Sequence, residues 1–458
     1  MGVTWDDRGR VPLLMGRDLA LARGGCRQLA GPLPAVRCAK VLQGQYANRY
    51  TPVWQLATKH IRKGSDTMIE GKDGGSAARK LRFGMVGGGP GAFIGDVHRK
   101  AAMFDGKAKL LAGVFSRKHE NTLATGKSLG LDESRLYRDF EEMARQEAAR
   151  DDGIDFVSIV TPNYAHYAVA KAFLENGINV VCDKPFTFTV EQAEDLARIA
   201  KENGLLVAVT YTYTGYPMVK HAREMIRRGD IGDIRVISAE YLQGWLATPL
   251  EATGQKQASW RTDPAQTGIS NCVGDIGSHI ENLVSYITGL KIESLCASLD
   301  VFGENRSLDD NAEILVRYEG GATGVYHCSQ VAIGHDNDLR VRIFGTKGSI
   351  EWAQESPNYL KVAYLGQPVQ VLSRGEGYLY PAAARLSRIP SGHPEGYYEA
   401  FANIYSTFIG ALMKKRAGET PAPEDMDFPS AEAGIAGVRF INKCVESSKK
   451  GATWVNVG

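Results

Sequence analysis

The sequence predicts an α/β chain. A parallel, doubly wound sheet is expected over residues 80–210, then a second α/β domain over 211–458 built on a large, open, mostly antiparallel sheet. Three observations predict this. An apolar run at 81–86 breaks into Gly87-Gly88-Gly89-Pro90-Gly91 and restarts at Ala92, Phe93 and Ile94, which reads as a strand, a tight turn and a helix start. Strand-like and helix-like stretches alternate from 81 to 211, as in a parallel sheet. Beyond Arg235 the pattern changes to short strands joined by hairpin signals, among them Glu319-Gly320-Gly321 and Gly345-Thr346-Lys347-Gly348.

The 458 residues suffice for two or three cores, and 43% hydrophobic with 23% charged residues is ordinary for a globular chain. The net charge of +2 implies no acidic partner, but it hides an asymmetry. Up to Asp66, four acids face eleven lysines and arginines. The leader, residues 1–79, has no secondary-structure period. It reads as a poorly ordered basic extension, or as translation begun upstream of the natural start, with Met68 opening a polar lead into the first strand. A basic nucleic-acid-binding arm is an alternative, against which its basic residues are spread and its aromatics few. Leu13–Met15 is too short for a signal-peptide core, and an organellar leader is the weaker alternative. The seven cysteines form no CxxC pair, which argues against a zinc site or disulfide framework and fits a reducing, cytoplasmic setting. No apolar run approaches the length of a membrane span.

Gly87, Gly89 and Ala92 match the spacing G-x-G-x-x-G/A, with Gly88, Gly91 and Gly95 added. The first glycine permits the turn, the second admits a pyrophosphate to the backbone, and the small third residue lets helix and strand pack closely. Free N–H groups of the helix start at Phe93 and Ile94 would face the phosphates. The spacing therefore points to a Rossmann dinucleotide site, against the plainer reading of a glycine-rich loop in another α/β protein. The next strand, 109–115, runs into Ser116, Arg117, Lys118 and His119, with no acid for the ribose hydroxyls. Ser116 and Arg117 can take a 2′-phosphate, which favours NADP over NAD. Arg117 stacked on adenine, or a solvated charge cluster, is the alternative.

Helices are expected at 121–129 and 137–145, the second capped near Asp139. The continuous apolar run 153–160 is a buried parallel strand. Thr161, Asn163 and His166 follow it, where the nicotinamide half of a cofactor would pass, although a histidine near a helix start is commonly structural. A helix at 165–173 and a strand at 178–182 lead to Asp183-Lys184-Pro185. Pro185 holds Lys184 extended and aims it from the carboxyl end of a central strand. An amine there can hold a substrate hydroxyl while hydride leaves its carbon. A surface lysine in a turn is the plain alternative. A helix at 190–201, with Thr189 as N-cap, and a strand at 205–211 complete the domain.

Tyr213 lies in an aromatic run, 211–214, that either walls a sugar site or packs in a core. A helix at 217–228 precedes strands at 236–242, 292–301, 312–318, 322–329, 339–343 and 349–352, with an edge ribbon at 361–365 and 369–372. The outer face of such a sheet needs helices or a partner subunit over it. Residues 388–395, with His393, form either a pocket rim or a turn into a helix at 397–413. A last helix spans 431–448. Between the first two strands stand Trp260-Arg261-Thr262-Asp263-Pro264 and Gly274-Asp275-Ile276-Gly277-Ser278-His279. On a helix, Asp275 and His279 share one face. An imidazole can take the proton of an alcohol near neutral pH, and a carboxylate can orient it. No third ligand accompanies the pair, so no metal is expected. A helix-start aspartate with a core histidine is the structural alternative.

With the glycine turn, Asp183-Lys184-Pro185 and Gly274–His279 in this order, the chain from 81 to 457 resembles the glucose–fructose oxidoreductase, inositol dehydrogenase and rhizopine-catabolism (Gfo/Idh/MocA) family. The resemblance implies a Rossmann domain, then an α/β domain with a large open sheet. It implies NAD(P)-dependent hydride transfer to or from a sugar, inositol, other polyol or keto-sugar, and homodimers or homotetramers joined through the open sheets. From composition, no nucleic-acid or membrane partner is expected. The family's Glu-Lys-Pro is Asp183-Lys184-Pro185 here, with a shorter acid beside the cofactor. Lys184, Asp275 and His279 match the catalytic residues, Asp183 and Lys184 are also expected at the cofactor, and Tyr213, Trp260, Arg261, Asp263, His335 and His393 are the candidate substrate contacts. A non-catalytic NAD(P)-binding regulatory or structural protein is the competing reading. The joint presence of the three central residues argues against it.

Overall fold

Five strands, β1 (Leu81–Gly87), β2 (Ala108–Val114), β3 (Phe156–Val160), β4 (Asn179–Cys182) and β5 (Val207–Val209), pair all-parallel in the order β2-β1-β3-β4-β5. The computed structural model describes residues 79–458, and the leader expected before them lies outside the described residues. β3 and β4 are buried along their whole length, because helices cover both faces of the sheet. On one face Phe83, Phe156 and Val181 pack against Val97 and Ala101 of α1 (Phe93–Met103). On the other, Val157, Ile159 and Val180 meet Val169 and Phe173 of α4 (His166–Glu175) and Leu196 of α5 (Val190–Glu202). Thr189 caps α5 in a capping box with Gln192.

Two further helices, α2 (His119–Ser128) and α3 (Phe140–Ala148), complete the crossovers. α3 starts later than expected, for a local reason. Asp139 Oδ1 accepts from Glu142 N (2.7 Å), while Tyr137 N donates to Gly113 O (3.1 Å) and keeps that backbone beside β2.

After α6 (Pro217–Arg227) and β6 (Ile234–Leu242), the chain makes α7 (Lys256–Arg261), α8 (Pro264–Thr267) and α9 (Ser278–Thr288). It then forms β7 (Ile292–Asp300), β8 (Asn311–Tyr318), β9 (Thr323–Ser329), β10 (Asp338–Gly345), β11 (Gly348–Ala353), β12 (Tyr359–Tyr364) and β13 (Gln370–Ser373). With the short β14 (Val455–Asn456), which no sequence period announced, these give a nine-stranded sheet ordered β13-β12-β11-β10-β6-β9-β8-β7-β14. β6 and β9 pair parallel, and the other neighbours are antiparallel. The inner face packs Ile237, Ile314 and Val341 with Val219 of α6 and Ile280 of α9. Alternation then sends Leu315, 49% exposed, to the outer face, where Val236, Val325 and Phe344 are also exposed.

Three more helices follow, α10 (Pro381–Ala384), α11 (Tyr397–Arg416) and α12 (Ala431–Lys449). α11 falls in the stretch assigned by sequence to the second domain, yet it lays Phe401, Tyr405 and Phe408 on the first sheet beside α1. α12 sends Val438 to the opposite face of that sheet and Phe440, Ile441 and Cys444 into the second core. The end of the chain thus fastens the two sheets together. Gly215 permits one close crossing, since a Cβ there would lie 2.1 Å from the Ala400 carbonyl. Among the described residues no helix is long and apolar enough to cross a membrane, and all five cysteines are free.

Candidate active site

The carboxyl ends of the parallel strands gather the predicted residues, as expected for an open α/β sheet. At the end of β1, Gly87, Gly88 and Gly91 have φ of +92°, +74° and +71°. A Cβ on Gly87 would lie 2.7 Å from Val160 O, and one on Gly89 2.5 Å from Phe115 O, so these positions need glycine. The close helix–turn contact is made by Gly95, not Ala92, which corrects the sequence expectation. A Cβ on Gly95 would lie 2.4 Å from Gly88 Cα, whereas Ala92 is the N-cap of α1. No side chain caps that helix, so its first N–H groups are open to an anion. An open cleft of about 590 Å³ lies over the turn, lined by Gly88, Gly89, Phe93, Arg99 and Thr125 among others. Phe93 is 64% exposed at this cleft, while Ile94 packs inward and offers only its backbone.

The turn fits a dinucleotide. Ser116 and the exposed Arg117 follow Phe115 just beyond β2, and the Phe115 carbonyl is the atom a Cβ on Gly89 would meet. Ser116 Oγ already accepts from Lys118 N (3.2 Å). Thr161 Oγ1 is buried beside the turn without a partner, which leaves it for a ligand.

Three residues placed by sequence at the cofactor have other work. Asn163 Nδ2 donates to Thr267 O (3.1 Å) and ties the α8 segment to the first domain. His166 is fully buried, with Nδ1 2.8 Å from Pro185 O and Nε2 3.0 Å from Thr161 O. It therefore positions the two loops and touches no cleft. Asp183 Oδ1 accepts from Lys184 N and from Thr210 Oγ1, both at 2.9 Å, and so shapes its own loop. Burial would raise its carboxyl. His98, whose Nε2 is 3.9 Å from Oδ1, together with Lys184 holds it below the usual carboxylate range instead.

The structure brings Lys184, Asp275 and His279 together. Lys184 Nζ donates to Asp275 Oδ1 (2.8 Å) and to the Asp275 carbonyl (2.6 Å). Asp275 Oδ2 accepts from Arg261 Nε (3.1 Å) and Gln330 Nε2 (3.0 Å). Burial would raise this carboxyl too, but Arg261 and Lys184 outweigh it and keep the group ionised. The backbone here is not the regular helix expected. Val273–Gly277 is a π-turn, and α9 begins only at Ser278. Asp309 holds that turn, accepting from Ser270 Oγ, Asn271 N and Val273 N at 2.9–3.0 Å.

Asp275 therefore orients Lys184 rather than His279, and the His279 ring makes no hydrogen bond among the described residues. Tyr213 and Tyr211 box the ring edge-on, with centroids 4.7 and 5.7 Å away. Burial, reinforced by the Lys184 cation, pushes the His279 pKa well below its usual value and leaves the imidazole neutral.

The substrate candidates divide. Tyr213 and Arg261 touch the trio directly, and Trp260 lies under the Arg261 guanidinium at 4.3 Å. Tyr213 Oη hydrogen-bonds Tyr241 Oη and accepts from Asn337 Nδ2 (3.4 Å). Asp263 instead caps α8, accepting from Ala265 N (2.9 Å) and Gln266 Nε2 (2.7 Å). His335 pairs with Asp338 (2.9 Å), two residues from Asn337. His393 is exposed, and its carbonyl accepts from Arg374 in a turn pinned by the buried Arg374–Glu395 pair (2.8 Å). That segment is thus a turn into α11.

Sequence reasoning missed Gln330, Asp309, His98 and Tyr397. Tyr397 is part-buried and senses Tyr213, Asp183 and Asp275, and burial pushes its hydroxyl well up. Only the meeting of β9 with the π-turn, and of α11 with the first sheet, reveals them. Among the described residues no cluster of three metal-ligating side chains occurs.

Residues 81–211 match the oxidoreductase family with an NAD-binding Rossmann fold, and residues 219–351 match the GFO/IDH/MocA C-terminal domain. An uncharacterised oxidoreductase of Bacillus subtilis, YfiI, is 39% identical over 82% of this chain and 97% of its own. An inositol dehydrogenase homolog from Azotobacter vinelandii, solved with NAD+, is 40% identical with a TM-score of 0.79, covering 83% of this chain and 98% of that one. The same homolog is also solved with NADH and myo-inositol, with a TM-score of 0.77 at 40% identity over 83% of this chain and 98% of that one. An oxidoreductase from Sinorhizobium meliloti is 47% identical with a TM-score of 0.75, over 82% of this chain and 99% of that one. Fold, glycine turn and comparisons agree that the chain belongs to the GFO/IDH/MocA family of NAD(P)-binding oxidoreductases.

Proposed function

We propose that the protein is an NAD(P)-dependent dehydrogenase of a polyol, cyclic polyol or sugar, acting on a CH–OH group. The observation that carries this is a neutral, aromatic-boxed His279 beside a part-buried Lys184–Asp275 ion pair. His279 accepts the hydroxyl proton, which its depressed pKa permits at neutral pH. Lys184 donates to the substrate oxygen as negative charge develops there. Asp275, gripped by Arg261 and Gln330, fixes the Lys184 side chain in place. When bound, the nicotinamide supplies the hydride acceptor. Tyr397, Tyr213 and Trp260 offer phenol and indole faces suited to a polyol ring.

The A. vinelandii relative complexed with NADH and myo-inositol supports this substrate class. Ser116 and Arg117, without a carboxylate, accommodate a 2′-phosphate, whereas that relative was solved with NAD+ and NADH. The enzyme we propose therefore accepts both cofactors. Titration of nicotinamide fluorescence with NADH and NADPH, then a polyol and keto-sugar panel, tests it. Binding of neither cofactor, or no turnover across the panel, refutes it. The exposed Val236, Leu315, Val325 and Phe344 on the outer sheet face support a homo-oligomer joined there, which light scattering reads.

A further inference from the structure

α7 spans the two halves of the site. At its start, Lys256 Nζ donates to the Pro90 carbonyl in the glycine turn (2.9 Å). The same side chain is what a Cβ on Gly91 would meet, with Cδ at 3.9 Å and Nζ at 4.0 Å, so the ammonium lies over the turn. At its end, Arg261 Nε donates to Asp275 Oδ2 (3.1 Å), and the guanidinium stacks on Trp260 (4.3 Å). Six residues therefore connect the glycine turn to the carboxylate that fixes Lys184.

Lys256 is exposed, so its ammonium is free to change partners. Its partner is a neutral carbonyl, and among the described residues no carboxylate lies within ion-pair distance of it. The N-terminus of α1 is uncapped, and Arg99 turns back to the Gly88 carbonyl (3.0 Å). Asp96 in the first turn of α1 faces Arg99 (3.9 Å) and Lys100 (2.6 Å), and Lys256 is the cation placed over the glycine turn itself. A dinucleotide's pyrophosphate is the anion such a turn admits.

We propose that Lys256 exchanges the Pro90 carbonyl for the cofactor's pyrophosphate, and that α7, so fixed, restrains Arg261 on Asp275. Lys256 is then a cofactor-binding residue supplied by the second domain, and Arg261 is a positioning residue. The proposal rests on the glycine turn as the dinucleotide site.

The test titrates wild type, Lys256→Gln and Lys256→Arg with NADH, ADP-ribose and adenosine by calorimetry, at low and at high salt. One unit charge about 4 Å from the pyrophosphate in water-like surroundings predicts ~5-fold weaker binding of NADH and ADP-ribose by Lys256→Gln. The loss shrinks at high salt, Lys256→Arg restores binding, and adenosine, which lacks the pyrophosphate, binds all three alike. ADP-ribose also slows amide exchange over 256–262 in wild type but not in Lys256→Gln.

Equal affinities of wild type and Lys256→Gln for NADH and ADP-ribose overturn the clamp, as does an equal loss for adenosine. Exchange unaffected by ADP-ribose overturns the link to Arg261. Both failures leave the cofactor reading standing when wild type still binds NADH. Wild type that binds neither NADH, NADPH nor ADP-ribose refutes that reading, and the clamp falls with it.

Discussion

Glu281 lies on α9 two residues beyond His279, buried, with Oε2 lacking a hydrogen-bond partner among the described residues. No cation offsets it, and burial alone pushes its carboxyl from 4.5 up to about 8. Below about pH 4.5 the folded and unfolded states both hold this proton. Between about 4.5 and 8 only the folded state does, so raising the pH favours unfolding by ~1.4 kcal/mol per pH unit. Above about 8 both states are ionised and the loss levels off, at roughly 5 kcal/mol in all. Glu281→Gln removes the proton from the balance and keeps the shape. The variant is therefore expected to gain on wild type by ~2 kcal/mol between pH 6 and pH 7.5. Urea unfolding of both proteins across that range measures the difference. Parallel pH dependence in the two proteins would refute the claim that Glu281 is protonated in the folded state.

Two further predictions concern the site. Because burial and Lys184 hold His279 well below 6.5, the acid limb of kcat/KM should lie below pH 6.5, with activity near its plateau at pH 6.5, and a limb at or above pH 6.5 would contradict a neutral, buried base. Gly95→Ala drives a methyl toward Gly88 Cα, so we expect a loss of ~1–3 kcal/mol in stability and weakened NADH binding, read by thermal unfolding and fluorescence. An unchanged Tm and Kd would show that the contact yields.

The sheets were legible because their signals are local. β3 reads as an unbroken apolar run since both its faces are covered, and β8 alternates since one face is open. The trio was legible because Lys184, Asp275 and His279 each sit in a short motif with its own backbone logic. What the sequence concealed depends on contacts between distant segments. Gln330 reaches Asp275 only because β9 ends beside the π-turn, and Tyr405 meets His98 across 307 residues. Asp263, Asn163 and His166 misled for the opposite reason. Each carries the right chemistry in the right neighbourhood, but local partners engage it: Ala265 N and Gln266 for Asp263, the Thr267 carbonyl for Asn163 Nδ2, and two backbone carbonyls for His166. The π-turn was hidden because i, i+4 spacing is the same in a helix and beside one.

The most direct test of the account is Lys184→Ala, followed by polyol-dependent reduction of NAD+ or NADP+ together with NADH and NADPH titration. Lys184 hydrogen-bonds Asp275 and is not among the residues lining the cleft over the glycine turn, so its loss should lower turnover by ~10²–10⁴-fold while cofactor affinity holds. Turnover near that of wild type would contradict the assignment of Lys184, and with it the mechanism built on the trio.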